Sequence, residues 1–221
     1  MKYYSQYDQD KIVNEHFFHN NKNGIFVDIG AHDGKFLSNT YFFEKYLDWT
    51  GICVEPNPEV YQTLIENRKS KCYNIGLNDV PGKVLFQQNS GYTETLSGIV
   101  NQFEEEHVQR IENENLEHNL IPNYIEIECD TLNNILEYCN INTIDYMSID
   151  TEGSEYNILK NFDFDKYHVN VLDVEINYFM SEKAQNIFEL LKNRFGRIIR
   201  VRQDIIFINN DLRYSYETNC T

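Results

Sequence analysis

The amino-acid sequence predicts an α/β domain, doubly wound around a mainly parallel sheet. Two observations carry that expectation. Short, nearly continuous apolar runs such as Ile25–Ile29 (IFVDI), Gly51–Glu55 (GICVE) and Ile144–Ile149 (IDYMSI) read as strands buried on both faces. After each run comes a segment of helical period that starts on a capping residue. The length, 221 residues, suits one domain around one core, and no period of ~20–50 residues marks a solenoid or propeller.

Taken in order, an N-terminal helix is expected within residues 1–22, ahead of a core over 23–221. Ile25–Ile29 is the first strand, and Ser38 caps a helix carrying Phe42, Phe43, Tyr46 and Leu47 on one side. Gly51–Glu55 is the second, followed by Asn57 as cap, Pro58 at the first helical position and Val60, Tyr61, Leu64 and Ile65 at helical spacing. Cys72–Leu77 is expected as a third strand, turning through Asp79-Val80-Pro81-Gly82 into a hairpin partner over Lys83–Gln87. From about residue 89 to 123 the pattern weakens. Glu104, Glu105, Glu106, Glu112, Glu114 and Glu117 mark one exposed helix and loops inserted into the core, with His107 and His118 on a solvated face.

Regularity returns with Tyr124–Cys129 as a strand and Thr131 capping a helix that bears Leu132, Ile135, Leu136 and Cys139. Ile144–Ile149 then leads into Asp150 and a helix from about Ser154 to Phe162, while Val169–Val174 leads into Glu175 and a helix from about Ser181 to Arg194. A terminal hairpin, Ile198–Val201 with Ile205–Ile208, adds an antiparallel edge strand. Phe42, Phe43, Tyr61 and Phe162 are assigned to the core; Tyr92 and Tyr178 are the aromatics placed to stack on a ligand.

Charge excludes whole classes of partner. Thirty-five Asp and Glu against 19 Lys and Arg give a net charge of -16, the opposite of a nucleic-acid binder's basic stripe. The basic stretch Arg194–Arg202 alternates with Ile and Val and reads as a strand with one solvated face. No run approaches the ~20 apolar residues of a membrane span. Five cysteines, Cys53, Cys72, Cys129, Cys139 and Cys220, lack any zinc-type spacing and read as small buried residues of a reducing cytosol. A cytoplasmic location is expected.

In a doubly wound sheet the ligand crevice lies beyond the carboxyl ends of the strands. The residues there are Asp28, Gly30, His32, Asp33 and Gly34, then Glu55, Asn78 and Asp79, Asp150 and Glu152, and Glu175. The first turn lacks the GxGxxG spacing of a pyrophosphate loop and carries acids that repel one. It suits a ligand with an amino group and a sulfonium. Glu55, 25 residues after Gly30, is placed to accept hydrogen bonds from both hydroxyls of a ribose.

At this point the chain resembles the FkbM-type S-adenosylmethionine-dependent methyltransferases. The resemblance rests on Ser5-Gln6 with Gln9-Asp10, Phe26 through Gly34, Ser38-Asn39-Thr40, Trp49-Thr50-Gly51 through Glu55-Pro56-Asn57-Pro58, and Ile149-Asp150-Thr151-Glu152-Gly153-Ser154-Glu155. His32 stands where Asn is commoner. The resemblance implies a Rossmann-like class I methyltransferase fold of seven strands with the last antiparallel, S-adenosyl-L-methionine as cofactor, and O-methylation of a small-molecule or glycan acceptor, most often a sugar. It implies that Asp28, Gly30, His32, Asp33 and Gly34 hold the methionine part of the cofactor, Glu55 with Pro56 and Asn57 the ribose, and Asn78 and Asp79 the adenine edge. Ser38 and Asn39 stand at the first helix beside it, and Asp150 borders the same site.

A hydroxyl acceptor needs a base, or a metal that lowers its pKa. Asp150, Glu152 and Glu175 are the catalytic candidates; Asp150, Glu175 and Asn177 are the ligand set for Mg²⁺ if a metal is used. The metal-free base is preferred, because crowded carboxylates raise one another's pKa. Glu155 is expected to stabilise the start of its helix, and Ser97-Gly98 to lie on the acceptor side. The alternatives are O-methylation of a non-sugar metabolite, a non-catalytic cofactor-binding module of a glycan-building system, and a dinucleotide oxidoreductase, which the missing GxGxxG disfavours.

Overall fold

The structure, a computed structural model, describes residues 1–212; Cys220 lies outside them. Eleven strands and seven α-helices alternate along these residues. Helix α1 (Gln9–Val13) runs into a π-turn over Asn14–Phe18, then come β1 (Ile25–Ile29), α2 (Tyr41–Leu47), β2 (Thr50–Val54), α3 (Pro58–Asn67) and β3 (Lys71–Tyr73). Strands β4 (Gly76–Leu77), β5 (Gly82–Gln88) and β6 (Gly98–Ile99), helix α4 (Glu105–His118) and strand β7 (Asn123–Asp130) follow. The chain closes with α5 (Leu132–Cys139), β8 (Thr143–Ile149), α6 (Glu155–Lys160), β9 (His168–Glu175), α7 (Glu182–Leu191), β10 (Phe195–Val201) and β11 (Asp204–Asn209).

Seven strands form the main sheet in the order β10-β11-β9-β8-β1-β2-β3. The pairs from β9 to β3 are parallel, whereas β11 is antiparallel to both neighbours. The fold class is therefore the expected one. One detail differs: the antiparallel strand is not at the edge but is wedged between β9 and β10, because β11 has five consecutive buried residues, Asp204–Ile208, while β10 alternates buried and exposed positions. One face of β10 is thus solvated, as expected of Arg194–Arg202, but it carries Gly196 and Ile198 along with Arg200, while Arg197 is half-buried.

Successive residues of each central strand serve opposite faces, as the pleat requires. Phe26, Cys53, Tyr146, Val171 and Ile206 point to a cluster with Val13, Phe42, Phe43, Leu47 and Leu64 of α1, α2 and α3. Val27, Ile52, Met147, Leu172 and Phe207 point the other way, to Leu136 of α5, Leu159 of α6 and Ile187 of α7. Burial on both faces explains why these strands read as apolar runs.

Three local expectations are corrected. The helix near the N-terminus covers only residues 9–18, since the Asp10 carboxylate accepts from the Tyr4 and Ser5 amides and folds residues 4–8 into a turn over the helix start. The run Cys72–Leu77 splits: β3 stays in the main sheet, and β4 leaves it to pair with β7. Strand β5 does pair antiparallel, but with β7 rather than with the run before the turn, so that β4-β7-β5-β6 make a second sheet. Around most caps the reading holds. Asn57, Thr131 and Ser181 each accept an amide of the next turn, whereas α2 is capped at Thr40 rather than Ser38, whose Oγ accepts the Thr40 and Tyr41 amides from two residues earlier.

A buried cation knits the parallel half together. Arg68, at the C-terminal end of α3, lies 3.0 Å from Glu44 of α2 and 3.4 Å from Asp28 of β1, and donates to the Gly34 carbonyl. Removing one member of such a group strands the others without compensation. Arg68→Met should therefore lower the unfolding free energy by about 3–5 kcal/mol, measured by urea denaturation; a loss below ~1 kcal/mol, the range of an exposed pair, would show that the cluster is solvated.

Candidate functional site

Loops at the carboxyl ends of β1, β2, β8 and β9, with the start of β11, enclose a cleft of ≈ 230 Å³. The first wall is made by the turn after β1. Gly30 has φ 78°, and a Cβ on it would stand 1.6 Å from the Asp150 carbonyl, so only glycine permits β1 and β8 to end this close together. His32 also adopts a left-handed conformation, φ 48°, and its amide donates to Glu55 Oε2 at 2.9 Å.

Glu55 closes β2. Its second oxygen accepts from the Asn57 amide at 2.7 Å, so two backbone donors fix the carboxyl group with lone pairs to spare. Burial pushes its pKa up to about 7 against the pull of those donors. Pro56 and Asn57 continue this wall, and Gln88 donates to Asn57 Oδ1 at 2.9 Å, which ties the second sheet to the site. On the other flank Asn39 donates to Ser148 Oγ at 3.0 Å, and its buried carboxamide oxygen has no partner among the described residues.

The acidic end is formed by Asp150, Glu152 and Glu175, each with a carboxylate oxygen within 4.8 Å of the others. Burial, with Asp204 and other acids adding to it, pushes Asp150 up to about 7, while a hydrogen bond from Glu175 works against this rise. Burial raises Glu152 and Glu175 further, and the Asp150 charge adds to both. Asn177 donates its amide to Glu175 Oε2 at 2.7 Å and to Glu152 Oε2 at 3.2 Å. Glu152 holds φ 56°, a strained position for a non-glycine residue. Glu155 accepts the Thr151 and Gly153 amides and so shapes this turn, as expected.

The sequence-predicted residues divide into those at the cleft and those behind it. Gly30, His32, Ser38, Asn39, Glu55, Pro56, Asn57, Asp150, Glu152, Glu175 and Asn177 line it. Asp28 borders it, but its carboxylate is engaged by Thr40 Oγ1 at 2.5 Å and by Arg68, so its charge is answered within the protein. Asp33 caps its own turn by accepting the Lys35 and Phe36 amides, and Gly34 packs on Leu64 and Arg68. Asn78 accepts from Gln102, and Asp79 pairs with Lys160 at 2.7 Å; the wall expected of them is built by Ile75, Gly76 and Leu77.

Other site residues escaped the sequence reading. Asp204 lines the cleft beside Glu175 and accepts from Gln9 Nε2 at 2.9 Å; its place beyond a hairpin turn in an unpredicted strand order gave no signal. From the insertion come Glu94 and Arg110, the latter the single Lys or Arg among the cleft residues. His107 is corrected outright. It is 2% exposed, with Nδ1 3.4 Å from Glu152, and burial pulls its pKa down to about 4, which makes it a neutral partner of that acid. Tyr92 stacks on His118 with ring centres 4.2 Å apart, and Tyr7 is the tyrosine at the cleft. Ser97 and Gly98 do line it.

The residues at the cleft would fit S-adenosylmethionine: Glu55 for a ribose, and an Asn39 oxygen without a partner among the described residues, together with the neighbouring acids, for a cationic ligand. Comparison with known proteins points to a methyltransferase family. The family described as the methyltransferase FkbM domain matches residues 28–203. A crystal structure of the methyltransferase FkbM from Methylobacillus flagellatus KT shares the fold, with a TM-score of 0.51 and 14% identity over 85% of this chain and 44% of that one. The chain spans under half the length of that relative. No curated protein sequence matches it.

Several raised acids, Glu55, Asp150 and Asp204 among them, predict how stability depends on pH. Glu55 and Asp150 keep their protons to about 7 and Asp204 to about 6 in the folded chain, whereas unfolded carboxyls release theirs near ~4. Between those values the folded state binds more protons, so stability is full below ~4 and is lost as pH rises through about 7. The urea midpoint of the ligand-free protein should fall between pH 5 and pH 8, and Glu55→Gln combined with Asp150→Asn should flatten that fall. A midpoint that rises over this range would contradict the assignment.

Proposed function

This chain belongs to the FkbM methyltransferase family, and from that premise we propose that it is an S-adenosylmethionine-dependent O-methyltransferase acting on a sugar hydroxyl of a glycan or glycoside. The observation that carries the reading is the pairing, across one cleft, of a buried carboxyl oriented for a ribose, Glu55, with a base held near neutrality, Asp150. Gln6, Gln9, Asn177 and Gln203 together with Tyr7 line the remaining walls and favour a neutral, hydroxyl-rich acceptor.

When bound, S-adenosylmethionine supplies a methyl group on a positively charged sulfur. The protein's task is to hold the acceptor oxygen ~3 Å from that carbon, in line with the sulfur, and to remove its proton. Asp150 is suited to that proton because its pKa, about 7, leaves much of it ionised at neutral pH while making it basic enough to accept. Asn177 donates to Glu175 and Glu152 and so holds both beside Asp150. Desolvation and the Asp150 charge raise the pKa of Glu152, which lies 3.4 Å from His107, and so lessen the negative charge that would oppose the one forming on the oxygen.

A divalent cation on Asp150, Glu175 and Asn177 is the competing reading, favoured by how closely the three acids approach. Against it, Asn177 turns its amide nitrogen, a donor, toward the carboxylates. Four free cysteines among the described residues suit a cytoplasmic protein, and none of the described helices is long and apolar enough to cross a membrane.

Calorimetry should show binding of S-adenosylhomocysteine and none of NAD, and a methyl-transfer assay over monosaccharides and glycosides should identify the acceptor. Asp150→Asn should lower kcat by about 10²–10⁴-fold, and EDTA should leave turnover unchanged. Binding of NAD alone would sink the methyltransferase reading; loss of turnover in EDTA, restored by Mg²⁺, would replace the base with a metal.

A further inference from the structure

Glu94 lies in the insertion, in a single 3₁₀ turn spanning Gly91–Leu96, far in sequence from the glycine loop. Yet its Oε1 lies 3.1 Å from His32 Nε2, the longest-range side-chain contact that loop makes across the cleft mouth. The turn is well anchored. Ser97 donates to the Glu94 carbonyl and receives the Asn89 amide, Thr93 donates to Asn115 of α4, and His107 lies against the Leu96 carbonyl.

The ring of His32 has a second nitrogen, and its surroundings differ. Nδ1 is buried and has no hydrogen-bond partner among the described residues. A carboxylate can only accept, so Glu94 places the ring proton on Nε2 and leaves a lone pair on Nδ1. His32 lines the cleft, and its own amide is bonded to Glu55. His32 is thereby tied to Glu55, and the unpartnered nitrogen belongs to a residue of the same cleft wall as that acid.

We propose that Glu94 is a positioning residue for the cofactor: by fixing the tautomer of His32 it presents Nδ1 as a third acceptor for a ribose hydroxyl, alongside the two oxygens of Glu55. The inference rests on the cofactor assignment above and extends it to a residue of the insertion. One consequence is that the insertion, besides facing the acceptor, completes the ribose site. A second is that the ring needs its carboxylate partner only as long as the acceptor at this position is a histidine.

The test is calorimetry with two ligands, S-adenosylhomocysteine and 5′-methylthioadenosine, which keeps the ribose and lacks the amino-acid part. Glu94→Ala should weaken both on the order of 5–10-fold, the loss of one hydrogen bond, while Glu94→Gln, whose carbonyl can still accept from Nε2, should bind nearly as tightly as the wild type. In His32→Leu the same weakening should appear, and adding Glu94→Ala should change nothing more. His32→Asn, which offers Oδ1 in place of Nδ1 without a tautomer to fix, should bind as the wild type does and ignore Glu94→Ala.

Each contrary result is decisive. Unchanged affinity in Glu94→Ala, a penalty that adds to that of His32→Leu, or a loss confined to S-adenosylhomocysteine would overturn the proposal. If His32→Asn binds as poorly as His32→Leu, Glu94 acts as a latch on the insertion and the hydrogen-bond role is overturned. Failure of the wild type to bind either ligand would instead remove the cofactor assignment beneath it. Melting curves of each variant separate these outcomes from unfolding, which the partial exposure of Glu94 makes unfavourable to expect.

Discussion

The buried guanidinium of Arg68 is the interaction on which the site depends. It reaches Asp28 at the end of β1, Glu44 on α2, Thr40 at the start of that helix and the Gly34 carbonyl, and it lies over the Phe26 ring at 4.8 Å. Arg is the side chain for this task, since its planar fork offers five donors and remains charged when buried. With that fork in place, the turn Gly30–Gly34 is held from beneath by side chains, which leaves its upper surface free for a ligand. Asp28, which the sequence offers as a ligand contact, is the carboxylate that secures the fork.

Acids elsewhere in the chain fall into two physical classes. Asp28, Asp10 and Glu155 are buried but answered, by Arg68 in the first case and by backbone and hydroxyl donors in the others. Asp150, Glu152 and Glu175 stand half-buried at the cleft beside one another, with no cation among their hydrogen-bond partners, and desolvation together with mutual repulsion holds them above the usual carboxylate range. The first class builds the scaffold. The second keeps protons that a reaction can exchange, at a cost in stability that a cationic ligand would offset. The overall charge of -16 hides this division, because most of the remaining acids lie on solvated surface such as α4.

The parts of the fold legible in the sequence are those set by local physics. Apolar runs buried on both faces, and caps such as Asn57 before Pro58 and Thr131 before Leu132, encode themselves within a few residues. So do the acids at strand ends, and with them the positions of Glu55, Asp150 and Glu175. What stayed hidden depends on pairing between distant segments. Gly76–Leu77 looks like the continuation of β3 until β7, some 50 residues later, offers it another partner; the cleft wall expected of Asn78 and Asp79 then falls to Ile75–Leu77, while Asp79 turns to Lys160. Asp204 reaches the cleft because β11 inserts between β9 and β10, a choice of strand order no local pattern records.

The insertion shows most clearly why polarity misleads. Its helix α4 is acidic and mostly exposed, the mark of a surface element, yet the few positions it buries are His107, Ile111 and Asn115. Two of these three are polar, and both are bound: Asn115 receives Thr93, and His107 stands between the Leu96 carbonyl and Glu152. A buried polar residue costs free energy unless it is paired, so these contacts fix the register of the insertion over the cleft more sharply than apolar packing alone would. That same register brings Glu94 to His32 and Arg110 to the cleft wall. The weak hydrophobic pattern over 89–123 thus has a physical reason: the segment is held by polar contacts among its own residues and by those of Glu94 to His32 and His107 to Glu152, so few of its positions need apolar side chains.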